Sequence, residues 1–300
     1  MSTLGQARAV VALFIVGLLI QAEPARAQWF GPRDMAPRGP KTLLEWSNAV
    51  HEEEEKDPNP RIITDRPHIA EAASLVGLGR VQVETGYTYF RDSEAGTTVQ
   101  THSFPEPLFR IGMFREWFEF RLQYNYFIEE TNDPVVGRTV LRGSDDIYIG
   151  AKIALAEQSG FFPELTIFPQ MRVPSGHPNF TAGEVLPGMN FAYAWMVTEK
   201  LEIEANTQVN KRRDETVDHF YTEILQTVNF EYDLVEKIML FNEFVLFSPV
   251  GAQEAQVEYY VHPGLHYFIM PNVQLDFHAA VGLNRAADDM FGGVGFSWRW

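Results

Sequence analysis

The chain contains no cysteine, which excludes disulfides and thiolate metal sites. A secreted protein of this size must then be held by packing, hydrogen bonds or a membrane. Positive charge is scarce: 24 Lys and Arg stand against 40 Asp and Glu, a net charge of −16. Nucleic acid is excluded as a partner, because a phosphate backbone calls for a basic face. Beyond the first 20 residues no run is long and apolar enough for a transmembrane helix, which needs roughly 20 residues, and mean hydropathy is slightly negative. Neither fact counts against a membrane β-barrel, in which only every second residue of a strand meets lipid. No G-x-S-x-G or H-E-x-x-H occurs. The glycine-rich pieces offer no phosphate cradle: Gly292-Gly293 sits inside a strand pattern, and Pro174–Pro178 reads as a loop.

What is there begins with an address. Arg8 precedes an apolar run from Ala9 to Ile20, and Ala25-Arg26-Ala27 stands before Gln28. These are the three parts of a secretory signal peptide, so residues 1–27 are expected to be removed after Ala27. Loss of Arg8, Glu23 and Arg26 moves the net charge from −16 to −17. No cysteine follows the apolar run, so a lipoprotein is excluded. Residues 28–79 read as a periplasmic arm. It is rich in Pro, Gly and Arg up to Pro40, fits a short helix from Thr42 to Lys56, and is stopped by Asp57-Pro-Asn-Pro60.

From Arg80 onward the period becomes two. Val81, Val83, Thr85, Tyr87 and Tyr89 alternate with Gln82, Glu84, Gly86 and Thr88, and Phe118–Ile128, Leu201–Val209 and Val273–Leu283 repeat the pattern. Such alternation marks strands, since successive side chains point to opposite faces. Twelve segments carry it: 80–90, 102–112, 117–129, 144–156, 163–173, 187–197, 201–211, 219–231, 237–247, 257–268, 273–283 and 290–300. Pro105 and Pro107 weaken the second. In the ninth, Asn242 on one face and Glu243 on the other leave the orientation open. Connections alternate short and long, with long ones expected at Arg91–Thr101, Glu130–Gly143, Pro174–Leu186, Arg212–Asp218, Ser248–Gln256 and Asn284–Asp289. An even number of antiparallel strands joined in this way is the outer-membrane barrel plan.

A soluble barrel would alternate too, with its apolar face inward. Here that would drive Glu84, Arg110, Glu119, Arg121, Lys152, Glu204, Glu231 and Asp276 into a dry core at prohibitive desolvation cost. With the apolar face toward lipid, these charges meet a wet lumen instead. Strands of ten to twelve residues suit a tilted crossing of the hydrocarbon layer. Tyr and Trp at strand ends (Tyr87, Tyr124, Trp117, Trp195, Trp298, Trp300) fit interfacial girdles. The last alternating strand runs to an aromatic, Trp300, and resembles the C-terminal strand that the barrel-assembly machinery reads.

Four stretches carry a more specific likeness: Ile63-Thr-Asp-Arg-Pro67, Gly77–Tyr87 with its Q-x-E-x-G-Y, Ser103–Gly112 with P-E-x-L-x-R-x-G, and Trp117–Arg121 with W-x-E-x-R. Together they resemble the outer-membrane "transporter" family grouped under the meta-pathway of phenol degradation. The likeness covers about residues 63–121. It implies a barrel linked to uptake of hydrophobic or aromatic compounds.

The candidate site residues follow from the faces. Glu84, Glu106, Arg110, Glu119 and Arg121 project inward from three neighbouring strands, where opposite charges can pair across the lumen. They either brace the wall or line a constriction that selects permeants. Asp65 and Arg66, just before the first strand, are expected to fold into the periplasmic mouth and pair with these charges. His262, His266 and His278 fall on inward faces of adjacent strands, where a metal site, a catalytic base or a cluster without catalytic role are all open. The expectation is therefore an all-β chain: a closed antiparallel transmembrane barrel of about twelve strands over residues 80–300, after the arm of residues 28–79. It would sit in the bacterial outer membrane as a passive channel for a small solute, with no cofactor and no catalytic or metal residues. The competing readings are a blocked barrel with a structural or surface role, and an outer-membrane hydrolase.

Overall fold

A computed structural model describes residues 42–44, 60–214 and 217–300. The expected signal peptide lies outside the described residues, as does the expected helix except for its first three positions. Fifteen strands follow: β1 (Val81–Glu94), β2 (Thr97–Phe104), β3 (Leu108–Gly112), β4 (Phe118–Gln123), β5 (Tyr126–Asp133), β6 (Gly137–Ser144), β7 (Ile147–Ala156), β8 (Glu164–Val173), β9 (Leu186–Met196), β10 (Leu201–Arg213), β11 (Phe220–Val235), β12 (Ile238–Val250), β13 (Glu258–Met270), β14 (Val273–Gly282) and β15 (Met290–Arg299). β2 with β3, β4 with β5, and β6 with β7 are halves of single staves, so the wall has twelve. Each is antiparallel to its neighbours. The barrel closes where β1 pairs with β15, from Gln82 opposite Arg299 to Arg91 opposite Met290.

The three interruptions are contiguous. Pro105-Glu106-Pro107 divides β2 from β3, where proline has no N–H to give the ladder. Beside it, Tyr124 N–H donates to Pro107 O (3.2 Å), and Asp145 N–H donates to Asn125 O (3.0 Å). Glu106 holds φ at +51°, a left-handed conformation that costs a non-glycine residue about 1–3 kcal/mol.

The faces run opposite to those of a soluble protein. Arg110, Glu243 and Asp276 are fully buried, whereas their immediate neighbours Phe109, Phe244 and Phe277 are 38%, 44% and 45% exposed. An apolar exterior around a buried ionic interior is stable only where lipid replaces water outside. Glu243 thereby settles the ambiguous ninth segment: it faces in.

Two expected loops are strands. β1 and β2 continue outward to a two-residue turn at Ala95-Gly96, whose φ values of 51° and 94° suit the twist of a tight hairpin. β5 and β6 likewise pair as far as Asp133 opposite Gly137. Their sequences hide the alternation because polar residues occupy both faces.

Candidate functional site

The lumen is occupied by the chain's own residues 60–79. They enter between the short turns, where Ile62 N–H donates to Pro271 O (2.6 Å), and climb to Ile69. They return to Gly79, whose N–H donates to Gly112 O (2.9 Å). The segment forms no strand or helix, so its backbone groups depend on wall side chains. Glu84 accepts the N–H groups of Asp65 and Arg66 (both 2.9 Å), Glu243 those of Ile69 (2.9 Å) and Ala70, Asn206 that of Glu71 (2.5 Å) and Glu119 that of Val76 (2.9 Å). In return, Gln82 and Arg110 donate to Ile63 O (2.8 and 3.2 Å), Lys152 to Ala72 O (2.9 Å) and Thr166 to Ala73 O (2.6 Å). The small side chains of Ala70, Ala72, Ala73 and Ser74 let the backbone approach the wall this closely.

Asp65 is the hub. Its carboxylate meets three cations from three staves: Lys152 at 2.8 Å, Arg121 at 2.9 Å and Arg110 at 3.2 Å. Arg110 also binds Glu119 (2.8 Å) and Glu84 (3.1 Å), and Arg121 binds Glu71 (2.8 Å). All of these wall charges are buried. Such a network holds only if every charge keeps its partners.

Arg66 passes through a slot made by two glycines. Gly86 and Gly295 face each other across β1 and β15. A Cβ on Gly86 would lie 2.2 Å from Arg66 Nη2, and one on Gly295 2.6 Å from Arg66 Nε. The guanidinium then reaches Glu106 at 2.5 Å and Asp276 at 3.7 Å. The left-handed turn at Glu106 thus aims this carboxylate at Arg66. A similar close approach occurs at Gly112, where a Cβ would strike Gly77 O at 1.8 Å.

The structure divides the three histidines named from sequence. His262 Nδ1 lies 2.9 Å from Glu243, and its Nε2 lies 2.9 Å from His278 Nδ1. His266 stands apart, 2.6 Å from Gln274 through Nδ1, and its ring lies 5.7 Å from that of His68. His68, from the inserted segment, was not singled out by the sequence. An isolated histidine in an aperiodic stretch carries no pattern. Glu243 and Asn206 were missed as ligands of backbone N–H groups for the same reason: such contacts leave no trace in spacing.

Above the inserted segment the inner face changes character. Leu225, Val245, Tyr260, Ala280, Ala287 and Phe291 form an apolar cluster, with Ile69, Phe90 and Phe247 packed on it. Across the lumen, residues 174–185 fold inward: His177 N–H donates to Ser144 O (2.9 Å), and the Phe180 ring lies 5.7 Å from Phe127. The polar remainder includes Gln170, which donates to Asn210 (2.8 Å). Outside, Asp214 ties the loop after β12 through the N–H groups of Gln253 (3.0 Å), Glu254 and Ala255 (both 3.2 Å). Burial disfavours its charge, yet these donors outweigh it and hold its pKa below the ordinary carboxylate value.

A closed antiparallel barrel with a lipid-suited exterior and an ionic interior defines the class of bacterial outer-membrane barrels. Residues 64–300 match the family described as "Putative MetA-pathway of phenol degradation", and the chain belongs to that family. Among solved structures, an outer membrane channel from Pseudomonas putida F1 is similar in fold. It is 11% identical, over 74% of this chain and 96% of that one, at a TM-score of 0.56. The transport unit of the autotransporter AIDA-I from Escherichia coli matches at 10% identity, over 73% and 89% of the two chains, with a TM-score of 0.47. The NanC porin matches at 10% identity over 73% and 98%, with a TM-score of 0.45. No curated protein matches the chain in sequence.

Proposed function

We propose that this protein is a passive outer-membrane transporter for small hydrophobic or aromatic compounds, held closed at rest by residues 60–79. The observation that carries the reading is the layering of the lumen. An aromatic and aliphatic cluster lines the inner wall toward the long-connection side, directly above a segment gripped by charges. Apolar walls with a few polar groups suit a small apolar solute, and the description of the family points the same way. Asp65, Arg66, Glu84, Glu106, Arg110, Glu119 and Arg121 act in this reading as the latch of the plug rather than as a selectivity ring. Solute entering from outside settles on the apolar cluster, and displacement of the plug opens the path to the periplasm.

A second reading is favoured by the burial itself. Glu84, Arg110, Glu119, Lys152, Thr166, Asn190, Asn229, Glu243 and Asp276, drawn from nine staves, are all fully buried, as a permanently blocked barrel with a structural or surface role would require. Uptake separates the two. A strain lacking the protein is expected to take up labelled monoaromatic compounds several-fold more slowly than its parent, with sugar uptake unchanged. Equal aromatic uptake in both strains would leave the blocked barrel as the better account.

A further inference from the structure

His68, Glu231 and His266 bring three donor atoms within 4.8 Å of one another, all on buried side chains. They come from three places: the inserted segment, β11 and β13. His68 Nδ1 lies 2.5 Å from Ala70 O, so this nitrogen carries a proton and Nε2 is the ring atom open to a ligand. That Nε2 lies 3.0 Å from Glu231 Oε1, yet off the line of a hydrogen bond. Without an ion, a proton on Nε2 makes this an imidazolium–carboxylate pair, and a bound metal ion would take that proton's place. His266 Nε2 is also buried without a hydrogen-bond partner. The Phe241 ring packs on both imidazoles, at 5.4 and 5.3 Å, and limits their rotation.

We propose that His68, Glu231 and His266 bind a divalent transition-metal ion of the zinc class, which bolts the inserted segment to the wall. Two imidazoles and one carboxylate form a donor set suited to Zn²⁺ or Co²⁺ rather than to Mg²⁺ or Ca²⁺, which take oxygen donors. Tetrahedral binding with bonds near 2.0 Å needs donors about 3.3 Å apart, so small side-chain movements complete the site and a water fills the fourth position. Ligation by His266 Nε2 moves its proton to Nδ1. Nδ1–H then donates a hydrogen bond to Gln274 once its amide turns to present the carbonyl, fixing the ring as such partners commonly do. An ion can arrive from the short-turn side, where a crevice is lined by Glu231, Glu202 and Asp233 beside Arg61.

The site rests on residues 60–79 closing the lumen, but its occupancy is measured without transport. Full-length protein, refolded in detergent and stripped of metal, is titrated calorimetrically with Zn²⁺, Co²⁺ and Mg²⁺. The expected result is one Zn²⁺ per chain and no Mg²⁺ uptake. His68→Ala and His266→Ala should each weaken Zn²⁺ binding at least about tenfold, while His262→Ala leaves it unchanged. The visible spectrum of Co²⁺-loaded wild-type protein should report nitrogen and oxygen donors in four-coordination, and this stands even if a variant fails to fold. Absence of saturable uptake, an octahedral all-oxygen Co²⁺ spectrum, or binding undiminished in both His68→Ala and His266→Ala would overturn the proposal. A stoichiometric site without any change in transport would support the metal and count only against the plug as a gate.

Discussion

Protein lacking residues 62–79 is expected to conduct ions steadily across a planar bilayer, with a current about tenfold or more above that of the full-length chain. The wall has its own support. Its strands are joined by continuous ladders, such as the thirteen residue pairs of β10 with β11, and none of these bonds involves the deleted segment. Removing the segment exposes Glu84, Arg110, Glu119, Lys152, Glu243 and Asp276 to water, where their charges need no partner. Twelve strands lie between the filled interior of eight and the open channel of sixteen, so the uncovered pore is narrow. Acidic residues outnumber basic ones among the buried inward side chains, with Glu106, Glu204 and Glu231 adding to the acids. The open pore should therefore prefer cations. Single-channel recording with asymmetric salt reads both properties. Current no larger than that of the full-length chain would mean that the wall, not the segment, closes the lumen.

Asp65→Ala is expected to release the segment without shortening the chain. The carboxylate meets Lys152, Arg121 and Arg110 within 3.2 Å and also accepts the N–H of Ala72 (3.0 Å). Removing one member of a buried ionic cluster costs about 3–5 kcal/mol, because its partners stay buried and uncompensated. Here the cost falls on the docked state alone, since the undocked wall charges are hydrated. The ratio of docked to undocked segment should fall about a hundred- to several thousand-fold. Hydrogen exchange at the N–H groups of residues 65–76 should accelerate accordingly, while exchange in β10 and β11 stays slow. Asp65→Asn isolates the charge, because the amide oxygen still accepts from Ala72. It should behave nearly as the alanine variant does.

The barrel was legible in the sequence because alternation is local. Phe109 beside Arg110 and Phe277 beside Asp276 reveal their faces without knowledge of the fold. The same logic placed Glu84, Arg110, Glu119 and Arg121 inward, and the proline pair at Pro105 and Pro107 marked where a stave breaks. The outer hairpins were read as loops because Thr97–Phe104 and Gly137–Ser144 carry polar residues on both faces. The histidines could not be grouped correctly from strand assignment alone. His262 and His266 share a face, but four residues of strand separate them by about 13 Å along the wall, enough to give each a different partner. The path of residues 60–79 was the least legible element. Its contacts run from backbone to distant side chains, as from Ile69 and Ala70 to Glu243, and nothing in local order encodes them. Only Asp65 and Arg66 stood out there. Gly86 and Gly295 took their meaning from the Arg66 side chain that fills the space between them.

Because the chain has no cysteine, a single engineered pair can lock the segment in place. Thr166 donates to Ala73 O at 2.6 Å, so Ala73→Cys with Thr166→Cys joins the middle of the inserted segment to β8. With this pair oxidised, aromatic uptake by cells should fall to the level of the deletion strain, and reduction should restore it. Uptake that persists undiminished in fully cross-linked protein would contradict the claim that the segment must move for solute to pass.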